Sequence, residues 1–355
     1  MLALLGGGRN YSIDLLKIFS MTMVLGLHTN SYGGFLSIER PQWYVYIVNY
    51  YEHLCIVAVN VFIIISAWFL RDRTCSVQKI LSLLITILFW TTISLCVVKL
   101  LGQEVSLKWI AKSIPFLGRA YDFLSGYIVM YMVSPVLNNM LNNSTKRQRF
   151  LLCIGSFFIF SMMGPLTSSH YLLINSGYSF VWFICLYIMT SYIKEKAINI
   201  RKYVFFQVYI LLSFLAACAS VNNIPVISDL SYNNVVVTIC AFSLFLFFKD
   251  IKLTSKRLIS VVSFLSPMTL GVFLIHDHNL MEQYYLKLNI YRIIEGYEWS
   301  YVILFPIFLF LVYIFCSILE YLRIKLFDLL KVPSIISKIA YTVDDGIDKV
   351  CNLNK

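Results

Sequence analysis

An aspartate, a lysine and a histidine share one face of the first apolar stretch of the chain: Asp14, Lys17 and His28, between Tyr11 and Asn30. On a helix turning about 100° per residue, the eleven-residue step from Lys17 to His28 returns to within roughly 20° of the same direction, and Asp14 lies roughly 40° away. A neutral imidazole can take a proton from a hydroxyl or attack a carbonyl itself, an ammonium attracts an anion, and a carboxylate can pair with either. In a stretch long enough to cross a bilayer such groups are costly, and by default they face a water-filled cavity or a bundle interior. The three residues point to a functional groove.

Further along, Arg71-Asp72-Arg73 sets two guanidinium groups close together, a spacing that can grip phosphate oxygens in forked pairs; it also fits ordinary basic anchors at the end of a membrane span. The histidines are His28, His53, His170, His276 and His278. Glu52 precedes His53, and Asp277 stands between His276 and His278, so acid and base groups recur at a depth similar to that of His28. Glu52 or Asp277 can orient a catalytic imidazole by accepting its second ring proton, as carboxylates do in triads. His276 and His278 can equally mark a span's exit into water, and they lack the further ligands that a metal site needs. Lys17 has its own alternative, since it can snorkel to the near interface with Asp14 as its pair.

These groups must be held by helices, because the composition is that of a membrane protein. Of the 355 residues 59% are hydrophobic and 13% charged, the mean hydropathy is +0.76, and the apolar residues come in blocks near bilayer-spanning length. The blocks predict an all-α polytopic bundle of ten spans, near 11–31, 49–70, 80–98, 123–141, 150–166, 177–193, 203–221, 234–248, 259–277 and 300–322. Basic residues gather in alternate loops: Arg71, Arg73 and Lys79; Lys146, Arg147 and Arg149; Lys194, Lys196, Arg201 and Lys202; Lys249, Lys252, Lys256 and Arg257. By the positive-inside rule these loops and both termini are cytoplasmic, whereas 165–176 and 222–233 hold neither Lys nor Arg. The loop near 99–122 is the exception, carrying Lys99, Lys108, Lys112 and Arg119 on the outer side. The formal charge of +11 follows from this loop bias and points to anionic lipid headgroups, not to nucleic acid.

Residues 1–323 read as one membrane domain. The tail 324–355 mixes Lys325, Lys331 and Lys338 with Ile, Leu and Phe, as a cytoplasmic amphipathic segment does. The nine cysteines are scattered without Cys-x-x-Cys pairs and read as small buried hydrophobes. Asp14 and Lys17 argue against a cleavable signal peptide at the first apolar stretch.

The segment from Asp14 to His28 resembles the first helix of the integral-membrane acyltransferase-3 family, whose hallmark is a basic residue and a histidine with ten residues between them. Arg71-Asp72-Arg73 is similar to the family's Arg-x-Arg element. The stretch before it, Val61-Phe-Ile-Ile-Ile-Ser-Ala-Trp-Phe-Leu70, is similar to a Phe-rich Ser-Gly-aromatic stretch, with Ala67 in place of the glycine. The block from Tyr121 to Asn138 resembles the fourth span of exopolysaccharide-modifying members, with Asp122 where Trp is more usual. Val181 to Ile193 and Gly271 to His276 match other recurring blocks, so the resemblance covers about residues 11–320 in the expected order.

That resemblance implies transfer of an acyl group from cytoplasmic acyl-CoA, acetyl-CoA first, to a hydroxyl of a cell-surface polysaccharide or lipid-linked glycan, in a bacterial plasma membrane and with no permanently bound cofactor. Arg71, Arg73 and Lys17 would hold the donor's phosphates. His28 would act as general base or, alternatively, become acylated, with Asp14, Lys17 and Glu52 as further catalytic groups. His276, Asp277, Trp182 and Tyr121 would meet the acceptor, the aromatics by stacking on sugar rings; Trp43 and Tyr178 are further exposed rings of this kind, or members of an interfacial belt. At about 1.5 Å of rise per residue, roughly 16 Å separate Lys17 from His28, close to the reach of a phosphopantetheine arm. A glycan transporter or flippase is the competing class; it predicts transport without CoA turnover, and no inverted repeat is evident. A glycan polymerase or ligase would carry a large outer loop with catalytic groups.

Overall fold

The computed structural model describes residues 9–33, 35, 42–102, 104–106, 110–111, 114, 116, 122–163, 175–225, 227–277 and 300–352. Tyr121, His170 and His278, with Lys108, Lys112 and Arg119, lie outside the described residues. The described residues are helical or connecting, with no strand among them.

Helix α1 (Tyr11–Tyr32) starts where the Asn10 side chain accepts the backbone N–H groups of Ser12 and Ile13, both at 3.2 Å, donors that a helix start leaves open. Helices α2 (Gln42–Cys55) and α3 (Ala58–Leu70) form one long apolar run interrupted at Ile56 and Val57. The Leu54 carbonyl at this interruption accepts the Tyr209 hydroxyl at 2.7 Å instead of staying unpaired in an apolar interior. Then come α4 (Val77–Leu100) and α5 (Asp122–Asn143). Helix α6 (Lys146–Ser156) opens on a capping box between Thr145 and Gln148 and runs into a π-helical turn, Phe157–Met162. Next are α7 (Phe180–Lys194), α8 (Lys202–Val221) and α9 (Val235–Lys249). Helix α10 (Lys256–Leu265) gives way at Pro267 to a 3-10 turn, Ser266–Met268, and resumes as α11 (Thr269–His276), since a proline cannot donate to the helical ladder. Helix α12 (Ser300–Leu329) continues past Arg323, and α13 (Val332–Asn352) follows it.

The described parts of the apolar blocks lie largely on helices, with shifted edges: the second is two helices beginning at Gln42, and the last runs to Leu329. Among the described residues five helical runs are long and apolar enough to cross a membrane, namely Gln42–Leu70, Val77–Leu100, Lys202–Val221, Lys256–His276 and Ser300–Leu329. Helices α7 and α9 are shorter apolar helices.

Helix α1 lies at the centre, packed on α2, α3, α9, α10, α11 and α12. It comes close to α2 at Gly26, where a Cβ would meet the Tyr51 ring at 2.7 Å. Peripheral helices turn apolar side chains outward. On α12, Phe310 and Phe315 are each 61% exposed, while Phe305, Leu309, Tyr313 and Cys316 on the other face are buried. A face of that kind is stable against lipid and not against water. The chain is a multi-pass membrane protein whose central helix carries the polar stripe.

Candidate active site

Helix α1 brings His28 to one end of the bundle, and α11 ends beside it, so that His276 and Asp277 converge on its ring. His28 Nδ1 lies 3.0 Å from His276 Nε2 and 3.1 Å from Asp277 Oδ1. Behind this contact His276 Nδ1 is 2.6 Å from the Val272 carbonyl, one turn back on α11. A carbonyl only accepts, so His276 Nδ1 carries hydrogen and Nε2 of the neutral ring holds a lone pair. Both groups facing His28 Nδ1 are then acceptors. The partners thereby assign the His28 hydrogen to Nδ1 and the lone pair to Nε2, the tautomer of a general base oriented by a carboxylate.

His28 lines a cavity of about 590 Å³, within the range of small-molecule sites. At the His28 end stand Asp122, Asn175, Tyr178, Tyr232 and Asp277, with the two tyrosine hydroxyls 2.9 Å apart. The waist is apolar, with Met21, Val24, Leu83, Ile128 and Leu270 on its walls. Ser66 and Tyr127, hydrogen-bonded to each other, interrupt it. Lys79 and Tyr131 line the opposite end. Met21, Val24 and His28 recur at helical spacing on α1 and line the cavity, so of the three residues expected to share one groove His28 alone is on this wall. Two polar ends joined by an apolar waist suit a long substrate whose charged part sits far from its reacting part.

Asp14 and Lys17 continue the same stripe but do not line the cavity. Asp14 is buried and accepts from Arg9 Nε at 2.6 Å, Lys17 Nζ at 3.0 Å and Ser266 Oγ at 2.9 Å. Three donors around one carboxylate leave it fully satisfied, and they tie α1 to the proline turn that leads into α11. Glu52 is also buried; it accepts from Asn30 Nδ2 at 2.9 Å, and Asn30 Oδ1 accepts the Tyr301 hydroxyl at 2.7 Å. Of the two carboxylates expected to orient His28, Asp277 is the one in contact with its ring.

Arg71 donates to Glu195 at 3.2 Å, and Arg149 shares that carboxylate at 3.0 Å. The Arg73 guanidinium lies 5.4 Å over the Phe69 ring. Neither arginine is on the cavity wall. Trp182, expected as an exposed stacking ring, is fully buried: its Nε1 donates to Asn60 Oδ1 at 3.0 Å, and Asn60 Nδ2 donates to the Tyr232 carbonyl at 2.6 Å. It braces the segment that presents Tyr232. Tyr178, by contrast, is exposed and on the wall.

In the sequence Lys79 reads as a loop charge, because a lysine in the first turn of a helix gives no signal that separates an anchor from a cavity residue. Asn175 and Tyr232 carry no sequence signal, since both sit in connections that no periodicity reaches.

The acyltransferase-3 family model, an acyltransferase domain, matches residues 10–321. The chain belongs to this family, and it is a membrane acyltransferase. No curated protein and no solved structure matches it.

Proposed function

We propose that this acyltransferase moves an acyl group, acetyl first, from cytoplasmic acyl-CoA to a hydroxyl of a cell-surface polysaccharide or lipid-linked glycan. In this reading the chain crosses a bacterial plasma membrane ten times with both termini in the cytoplasm, an arrangement supported by the alternation of basic loops. The observation that carries it is His28 on the cavity wall with its Nδ1 against Asp277 and His276, partners that put the lone pair of its ring on Nε2.

The chemistry follows from that tautomer. His28 Nε2 removes the proton of the acceptor hydroxyl as its oxygen forms a bond to the thioester carbonyl carbon. The tetrahedral intermediate then breaks its carbon–sulfur bond, and the departing thiolate takes the proton from the imidazolium. Between these steps the positive ring is stabilised by the Asp277 carboxylate and the His276 lone pair, both already in place on Nδ1. Attack by Nε2 on the thioester, forming an acyl-histidine, uses the same lone pair. Tyr178, Asn175 and Asp122 surround the place where the acceptor would stand, and Tyr178 offers an aromatic face to a sugar ring.

The test is transfer of labelled acetyl from acetyl-CoA by the purified protein in lipid nanodiscs, with the host's own surface glycan as acceptor. His28→Ala is expected to lower turnover by at least about 10³-fold. Full transfer by a folded His28→Ala protein would refute the assignment, and glycan movement without CoA consumption would favour a transporter.

A further inference from the structure

The end of the cavity opposite His28 is built by the first turn of α4, by α5 and by the loop 71–76 between α3 and α4. The loop is fastened to α5 at two places. The Tyr131 hydroxyl accepts the Ser76 N–H at 3.0 Å, and Asn138, two turns further along, donates to the carbonyls of Leu70 at 2.9 Å and Arg73 at 3.4 Å. Tyr187 in turn holds the Asn138 amide by donating to its Oδ1 at 2.7 Å. So secured, the loop keeps the Arg73 guanidinium within electrostatic reach of the Tyr131 hydroxyl, at the cavity end.

Lys79 stands at the same end. Among the described lining residues it is the single Lys or Arg, and its ammonium makes no ion pair or hydrogen bond with another described residue. Asp344 of α13 faces the loop as well, since both it and Lys79 act electrostatically on the partly buried Cys75 thiol, but it does not bond Lys79. Arg71, in contrast, is held at Glu195 together with Arg149, and Lys194 is held by Asp72 and the Trp68 carbonyl. The cations near this loop therefore divide into those held by carboxylates, Arg71, Arg149 and Lys194, and Lys79, which lines the cavity; Arg73 lies over the Phe69 ring, off the cavity wall. A cation at the head of an apolar passage, with His28 at its far end, matches an elongated thioester carrying phosphate at the end away from its acyl group.

We infer that Lys79 forms the phosphate subsite of the donor, and that Arg71 holds the fold instead. The inference rests on the acyl-CoA reading above and adds to it a residue and a position. The donor's phosphates sit at Lys79, its arm follows Leu83, Met21 and Val24 along the waist, and its carbonyl reaches His28.

The experiment uses the full chain in nanodiscs of neutral lipid and measures equilibrium binding of CoA alongside acetyl-CoA kinetics. Lys79→Ala is expected to weaken CoA binding and raise the acetyl-CoA KM about tenfold, one charge-assisted contact, with kcat within about twofold. Lys79→Arg should restore most of the loss. Acetyl-pantetheine, which lacks phosphate, should show the same KM with wild type and Lys79→Ala. Arg71→Ala should reduce thermal stability and leave the CoA affinity of the folded protein unchanged. Unchanged CoA binding by Lys79→Ala overturns the subsite, and so does a difference that arises only in nanodiscs of anionic lipid, which assigns Lys79 to headgroups. Wild type that binds CoA through Lys79 and yet acetylates nothing would sink the transferase reading alone, with the phosphate subsite standing.

Discussion

His276 stands directly behind His28, with Nε2 of the one 3.0 Å from Nδ1 of the other and its own Nδ1 turned to the Val272 carbonyl. Two histidines 248 residues apart in sequence thus form one hydrogen-bonded line from the backbone of α11 to the cavity. Asp277, next in the chain after His276, closes on the same nitrogen. The line fixes which nitrogen of His28 can accept a proton, and it makes both partners positioning groups for whatever chemistry His28 performs.

Asp277→Asn removes the charge and can offer an amide donor to His28 Nδ1, which favours the wrong tautomer. A kcat loss of about 10²–10⁴-fold is expected, with the donor KM little changed because Asp277 is at the other end of the cavity from Lys79. His276→Phe keeps a ring and deletes the acceptor, and is expected to cost about 10²-fold in kcat. Steady-state kinetics with acetyl-CoA separate these effects, and a loss carried mainly by donor KM would contradict the arrangement.

Asp14→Asn leaves Arg9 and Lys17 without their carboxylate and loosens the link to Ser266. Arg9 and Lys17 are partly exposed, which moderates the penalty of a broken ion pair, and destabilisation of about 2 kcal/mol is expected. Thermal unfolding in detergent should register it, while turnover per folded molecule falls much less than in His28→Ala. Equal losses of turnover in the two variants would place Asp14 in the chemistry.

Gly271 on α11 packs against the Glu320 carboxyl, which is held in turn by Trp90 Nε1 at 2.7 Å and by two bonds from Arg323. A methyl there must displace that buried carboxylate, so Gly271→Ala is expected to destabilise the protein by about 1–3 kcal/mol and to lower activity by shifting His276. Gly155 on α6 has open space at its Cβ, and Gly155→Ala should be neutral or stabilising by up to about 1 kcal/mol. The pair, compared by unfolding temperature, distinguishes crowding from a general effect of alanine.

Trp182→Phe deletes the donor to Asn60 and leaves a buried amide oxygen unpaired, at about 1–3 kcal/mol of stability. Acceptor KM should follow only indirectly, through Tyr232. Tyr178→Ala, at an exposed cavity ring, should instead raise acceptor KM with little change in stability. Reversal of these two outcomes would restore Trp182 as the stacking surface.

What the residues alone determined is local along the chain. The apolar blocks and the charge alternation identified a polytopic helical membrane protein, and the spacing along α1 put Asp14, Lys17 and His28 on one face, because helical periodicity links residues only a few turns apart. Arg71 and Trp182 show where that reasoning ends, since a guanidinium at a span's end and a ring near its start read the same whether they face a ligand or a neighbouring helix. Only the packed bundle decided that Asp277 rather than Glu52 touches His28, that Asp14 is a tie between α1 and the Pro267 turn, and that Lys79 opens into the cavity while Arg71 is held by Glu195. Those contacts join helices far apart in sequence, and they depend on the depth and rotation of each helix against its neighbours, which no single helix's own residues encode.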